Sequence, residues 1–129
     1  ITENVINGKA FKPLDIYKAY NGTTVEIHHT DAEGRLVLAD VMSYIDDLYA
    51  PKHMITMATL TGACVYALGH DIAGVMGDDE KVIDALLGAQ SPYEKLWRLP
   101  LNEKLKKSLK ADIADLKNVA RSEKAGSSV

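Results

Sequence analysis

The chain has a single cysteine, Cys64, in 129 residues. One thiol cannot form an internal disulfide, and such usage fits a reducing compartment. No apolar run is long enough to cross a bilayer as a helix, and a signal peptide is not expected. Positive charge is not in excess: 15 Lys and Arg stand against 18 Asp and Glu, a formal net charge of −3. An electrostatic grip on nucleic acid is therefore not implied. Internal repeats, low-complexity tracts and an internal linker are also missing. What is present is one domain's worth of sequence with 47% hydrophobic residues, enough to bury a core. Ile1 stands where a Met would open a chain, and Gly126-Ser127-Ser128-Val129 closes without a final element. Both ends are expected to be cut.

Chemistry concentrates in His28-His29-Thr30-Asp31-Ala32-Glu33-Gly34-Arg35-Leu36. On an extended backbone, Asp31, Glu33 and Arg35 would project to one face. Two acids on one face repel unless a cation lies between them. A divalent metal is one solution; Arg35 alone is a weaker one. The plainer alternative is that the two acids cap and favour the N-terminus of a helix. Carboxylates without cysteine are hard donors, suited to Mn²⁺, Mg²⁺ or Zn²⁺. A two-metal site holds its ions roughly 3.5–4 Å apart and needs more ligands than two. Asp15, Asp40, Asp71 and Asp78 are available, but no spacing recommends any of them. His28 and His29 would point to opposite faces of a strand, so at most one joins such a cluster, and a hydrogen-bonded structural role is the simpler assignment.

Around this stretch the chain alternates between strands and helices. Asn21-Gly22, between residues 15–20 and 23–28, signals a hairpin with positive φ at both turn positions. Leu38, Val41, Met42, Ile45, Leu48 and Tyr49 form one stripe on a helix from about Glu33 to Tyr49, stopped by Pro51. That stripe is expected to pack into the core, with Met42 and Ile45 buried. Residues 53–59 read as a buried strand, followed by a sharp turn at Leu60-Thr61-Gly62 and a short helix ended by Gly69. The turn could also cradle an anion. A strand is expected over 71–76, and a helix over 79–87 capped by Asp78 or Asp79. A connector around Pro100, a lysine-rich helix over 102–109 and a weak helical stripe at Ile113, Leu116 and Val119 follow. The pattern argues for an α/β fold: a mixed sheet with helices on both faces.

Several motifs, in order, resemble the leucyl aminopeptidase (cytosol aminopeptidase) family. Thr30-Asp31-Ala32-Glu33-Gly34-Arg35-Leu36 is similar to its N-T-D-A-E-G-R-L signature. Ala58-Thr59-Leu60-Thr61-Gly62-Ala63 is similar to its A-T-L-T-G-A block. Asn4, Gly8-Lys9-Ala10, Asp15, Trp97-Arg98-Leu99-Pro100-Leu101 and Ala114-Asp115-Leu116-Lys117-Asn118 extend the match over essentially the whole chain. His29 departs from the family's usual Asn, and His28 from an apolar residue.

The resemblance implies a binuclear metallopeptidase with two divalent ions, Mn²⁺ or Zn²⁺. Asp31 would bind one metal through its side chain and carbonyl, and Glu33 would bridge both. Arg35 would be the catalytic arginine, holding a bicarbonate as general base. Thr59, Leu60 and Gly62 would line the substrate cleft. A Lys and two Asp ligands, together with the catalytic Lys, would come from a segment before Ile1. Residues 1–129 would thus be a fragment of the C-terminal catalytic domain, without the amino-terminal domain and the first ligand segment. By itself the fragment is expected to be inactive. Peptide substrates, a cytoplasmic homohexamer and no membrane association are the further expectations. Two rivals are a non-catalytic relative with an assembly role and a DNA-binding role; the net charge gives the second no support.

Overall fold

In the computed structural model, which describes residues 7–120, a hairpin forms around Asn21-Gly22. Asn4 and residues 126–129 lie outside the described residues. The elements, in order, are β1 (Ile16–Lys18), β2 (Thr24–Glu26), α1 (Gly34–Tyr49), α2 (Ala63–Leu68), β3 (Ile72–Val75), α3 (Glu80–Gly88), β4 (Lys95–Arg98), α4 (Glu103–Ser108) and β5 (Leu116–Lys117). The α/β content matches the expectation, but the chain divides into two compact units. Among the described residues the strands form two small sheets, β1-β2-β5 and β3-β4, rather than one.

The first unit spans residues 7–50 with Leu109–Val119. β1 and β2 pair antiparallel, Tyr17 opposite Val25. Only Gly22 of the turn pair has positive φ, +89°. The Ala19 N–H donates to the Thr23 carbonyl at 2.8 Å, and the Gly22 N–H to the Ala19 carbonyl at 2.9 Å. Tyr20-Asn21-Gly22 is thus a three-residue loop with glycine in the left-handed position, not the two-residue turn. Asn21 uses its Oδ1 to accept from the Thr23 N–H at 3.0 Å.

The hairpin is latched to α1 by carboxylates two helical turns apart. The Tyr17 hydroxyl donates to Asp40, the Tyr20 N–H donates to Asp40 at 2.8 Å, and the Tyr20 hydroxyl donates to Asp47 at 2.9 Å. Asp47 raises the Tyr20 pKa above the usual phenol value. The Tyr20 and Tyr44 rings meet edge to face at 5.5 Å. β5 adds to β2 in parallel, Val25 opposite Leu116. The core centres on Ile27, fully buried, with Val25 and Ala111.

The α1 stripe corrects an expectation. No residue of α1 is buried; Leu38 and Ile45 are half-buried, whereas Val41, Met42, Leu48 and Tyr49 are exposed. The reason is length. Sixteen helical residues span about 24 Å, while three-residue strands span about 10 Å. So small a sheet cannot cover the whole stripe. Ile113, Leu116 and Val119 form no helix either, because Leu116 and Lys117 are captured as β5.

The described part of the second unit is mainly Pro51–Ser108. β3 and β4 pair in parallel, Gly74 opposite Trp97, joined through α3; α2 packs on β3 and α3 on β4. Asp79 caps α3, accepting from the Lys81 and Val82 N–H groups. Gly74 is required by close approach: a Cβ there would lie 2.9 Å from Leu99 Cδ1 and 3.5 Å from Cys64 Sγ. The chain leading to the expected connector around Pro100 is instead β4, because β3 offers it a ladder. The expected strand over 53–59 is irregular. Its backbone makes no hydrogen bond among the described residues, and Met57 is 94% exposed. An apolar run becomes a strand only beside a partner. No helix among the described residues is long and apolar enough to cross a membrane.

Candidate active site at the β2–α1 junction

The antiparallel pairing runs past β2 to Ile27, whose N–H donates to the Asp15 carbonyl and whose carbonyl accepts from the Leu14 N–H. There the chain leaves the sheet and must become a helix within a few residues. Its exposed amides are captured by a residue 89 to 90 positions away. Asn118 Oδ1 accepts from the His28 N–H at 2.8 Å and the His29 N–H at 3.2 Å. Asn118 Nδ2 donates to the His29 carbonyl at 2.6 Å and, at the limit of 3.5 Å, to the Ala32 carbonyl. The Asn118 N–H donates to the Glu26 carbonyl, and the Asn118 carbonyl accepts from Arg35 Nη1 at 3.1 Å. Asn118 is 3% exposed.

This path overturns the extended arrangement of Asp31, Glu33 and Arg35. Thr30 and Asp31 form a turn, closed by the Ala32 N–H donating to the His29 carbonyl. Glu33 already has helical angles (φ −77°, ψ −34°) as the N-cap, and Arg35 lies in the first turn of α1. A strand-to-helix conversion this short leaves no room for a period of two. The three side chains still share one junction: Asp31 and Glu33 are exposed, and Arg35 is half-buried.

The capping alternative also fails locally. Glu33 makes no side-chain cap bond to α1, and among the described residues neither the Asp31 nor the Glu33 carboxylate accepts a hydrogen bond. Their oxygens are hard donors, so the donor chemistry fits a divalent cation. The set is small: among the described residues no three His, Cys, Asp or Glu are grouped to hold a metal. His29 is used structurally, its Nδ1 accepting from the Asp31 N–H at 3.2 Å. His28 Nε2 is buried 3.1 Å from Glu26 Oε1, off the direction of a hydrogen bond. Of the other acids considered, Asp15 is engaged by the Lys12 N–H, which foremost lowers its pKa, and Asp40 by the hairpin tyrosines. A mostly apolar cavity of about 250 Å³ opens between hairpin and helix, lined by Phe11, Tyr17, Ile27, Leu36 and Val37 with Glu33 beside them.

Thr59, Leu60 and Gly62 belong to the second unit. Thr59 and Leu60 are exposed in the irregular stretch, and Gly62 is the N-cap of α2. α2 has only six residues, and its Ala63 N–H already donates to Thr61 Oγ1 at 3.2 Å, so the anion-cradle alternative is not supported. Asp71 and Asp78 also lie in this unit, exposed. Asn118 is the residue that spacing missed. It stood out only as the last residue of the 114–118 block, and no periodicity connects it to Asp31.

The chain is similar to curated proteins along nearly its whole length. It is 45% identical over 119 residues to a probable cytosol aminopeptidase of Hydrogenovibrio crunogenus, covering 92% of this chain and 24% of that protein. A probable cytosol aminopeptidase of Neisseria meningitidis is 48% identical over 118 residues, 91% of this chain and 25% of that protein. One of Cenarchaeum symbiosum is 44% identical over 125 residues, 96% and 26%. The chain thus spans about a quarter of the length of these relatives. The model of the cytosol aminopeptidase family's catalytic domain matches residues 1–129. With its signature acids and arginine gathered at one strand-to-helix junction, the chain belongs to the cytosol aminopeptidase family.

Proposed function

We propose that the full-length protein carrying this chain is a metal-dependent aminopeptidase that removes leucine-like N-terminal residues from peptides. The match of residues 1–129 to the family's catalytic domain carries this reading. Asp31 and Glu33 would hold part of a two-ion centre of Mn²⁺ or Zn²⁺, Glu33 as the bridge. When bound, the ions supply Lewis-acid polarisation of the scissile carbonyl. Arg35 would orient a carboxylate-like anion such as bicarbonate, since its planar fork suits two-point contact and the Asn118 carbonyl fixes one edge of it. Thr59, Leu60 and Gly62 would line the cleft. The remaining ligands belong, in this reading, to a preceding segment of the same catalytic domain, in a cytoplasmic homohexamer. Two uncapped, solvent-facing carboxylates at one junction support the metal assignment. Negative net charge speaks against nucleic acid as a partner.

The test is metal content and turnover of a chromogenic leucyl amide by the full-length protein. Glu33→Gln is expected to lose more metal per subunit on dialysis than Asp31→Asn, because a bridging carboxylate serves two cations. Retention of both ions in Glu33→Gln would remove the bridging role. No turnover by the wild type with either metal would remove the aminopeptidase reading.

A further inference from the structure

We propose that Asn118 is a positioning residue of this site: its amide sets the path of the loop carrying Asp31 and Glu33, and its carbonyl sets Arg35. The inference rests on the aminopeptidase reading above. Four bonds from the stretch joining β2 to α1, and a fifth from Arg35 in the first turn of α1, converge on this one buried residue. The side chain offers one acceptor oxygen and two donor hydrogens, and the loop uses both kinds. The acceptor gathers two consecutive amides where the chain leaves the sheet. The donors hold the His29 and Ala32 carbonyls that bracket Thr30-Asp31. Few other residue types present both functions at this reach. Aspartate would keep the acceptor but turn an anion toward the His29 carbonyl, and an apolar residue would orphan both sides.

A purely structural role for Asn118 is separable, because β5 has a second lock at its other end. The Thr24 N–H and hydroxyl donate to Asp115 Oδ2 at 2.8 and 2.7 Å, and the Asp115 N–H donates to Thr24 Oγ1 at 3.0 Å. The Thr24 amide foremost holds the Asp115 carboxyl below its usual range. Asp115 therefore anchors the sheet, while Asn118 faces the loop. The two residues that flank β5 divide the two tasks.

The experiment compares Asn118→Ala, Asn118→Asp and Asp115→Ala in the full-length protein, below the unfolding temperature of each. Amide hydrogen exchange is followed in the metal-free protein, and kcat and KM are measured on a leucyl amide. In Asn118→Ala, exchange should rise over residues 28–36 and stay near wild type over 16–26. Its kcat should fall roughly 10- to 100-fold, the range for losing a partner that orients a ligand, with KM within about threefold. Asn118→Asp should keep protection at His28 and His29 yet still lose kcat. Asp115→Ala should lower Tm with kcat unchanged. A uniform rise in exchange across both stretches, or unchanged kcat in both Asn118 variants of an active enzyme, would overturn the positioning role alone. Should Asn118→Ala not fold, Asn118→Asp decides: wild-type kcat would overturn the role. An inactive wild type would overturn the aminopeptidase reading and this role with it.

Discussion

The junction at Asp31 and the stretch before Gly62 are both irregular, and they are held in opposite ways. At Asp31 the sheet has just ended, and a buried amide from β5's end takes up the orphaned backbone groups. Over residues 53–59 no backbone hydrogen bond forms among the described residues. There a side chain provides the tie, His53 Nδ1 lying 2.9 Å from Asp79 Oδ2 at the start of α3. The contrast teaches that an irregular backbone is defined by what satisfies its N–H and C=O groups, not by its own composition. The first stretch is polar and ordered by a distant residue. The second is apolar and stays exposed.

The comparison can be broken first at the core. Ile27 is fully buried at the point where the ladder hands over to the loop. Ile27→Ala is expected to cost about 2–5 kcal/mol in chemical denaturation. A loss below about 1 kcal/mol would mean that the first unit is not organised around that side chain.

A smaller effect is expected from acid at the other region. The Val82 amide foremost, with His53 and the Lys81 amide, holds the Asp79 carboxyl below its ordinary 3.8. A lowered folded pKa gives stability that is full above the unfolded value and is lost as pH falls through the folded one. Tm should therefore drop below pH 3.8, and part of that drop should vanish in Asp79→Asn, which keeps the cap acceptor but not the charge. Asp15, Glu80 and Asp115 shift in the same direction, so the difference between wild type and variant is the quantity to read. Identical acid profiles would show that the charge on Asp79 contributes nothing. The smallest effect belongs to Met57, 94% exposed. Met57→Ala should change stability by no more than about 0.5 kcal/mol, measured beside Ile27→Ala; a core-sized loss would show that the stretch is packed.

Local signals were legible wherever one short stretch carried the whole cause. Asp79 caps α3, Pro51 follows the end of α1, and Gly69 ends α2 at φ +76°, because each acts through its own side chain or its freedom in φ. Asp31, Glu33 and Arg35 were legible as a group because they sit together in sequence. Their geometry was not: a period of two presumes a strand, and the chain was already turning into a helix.

What the sequence determined by itself is therefore the family, the order of most elements and the residue types at the junction, all written in contiguous motifs. Tertiary structure alone decided that residues 95–98 and 116–117 are strands and that residues 53–59 are not, since a strand exists only beside a partner able to pair with it. It also decided that Asn118 governs the junction. A hydrogen bond spanning 83 to 90 residues leaves no periodic trace in the chain; only folding brings β5 beside β2 and makes that amide the nearest partner of the exposed backbone.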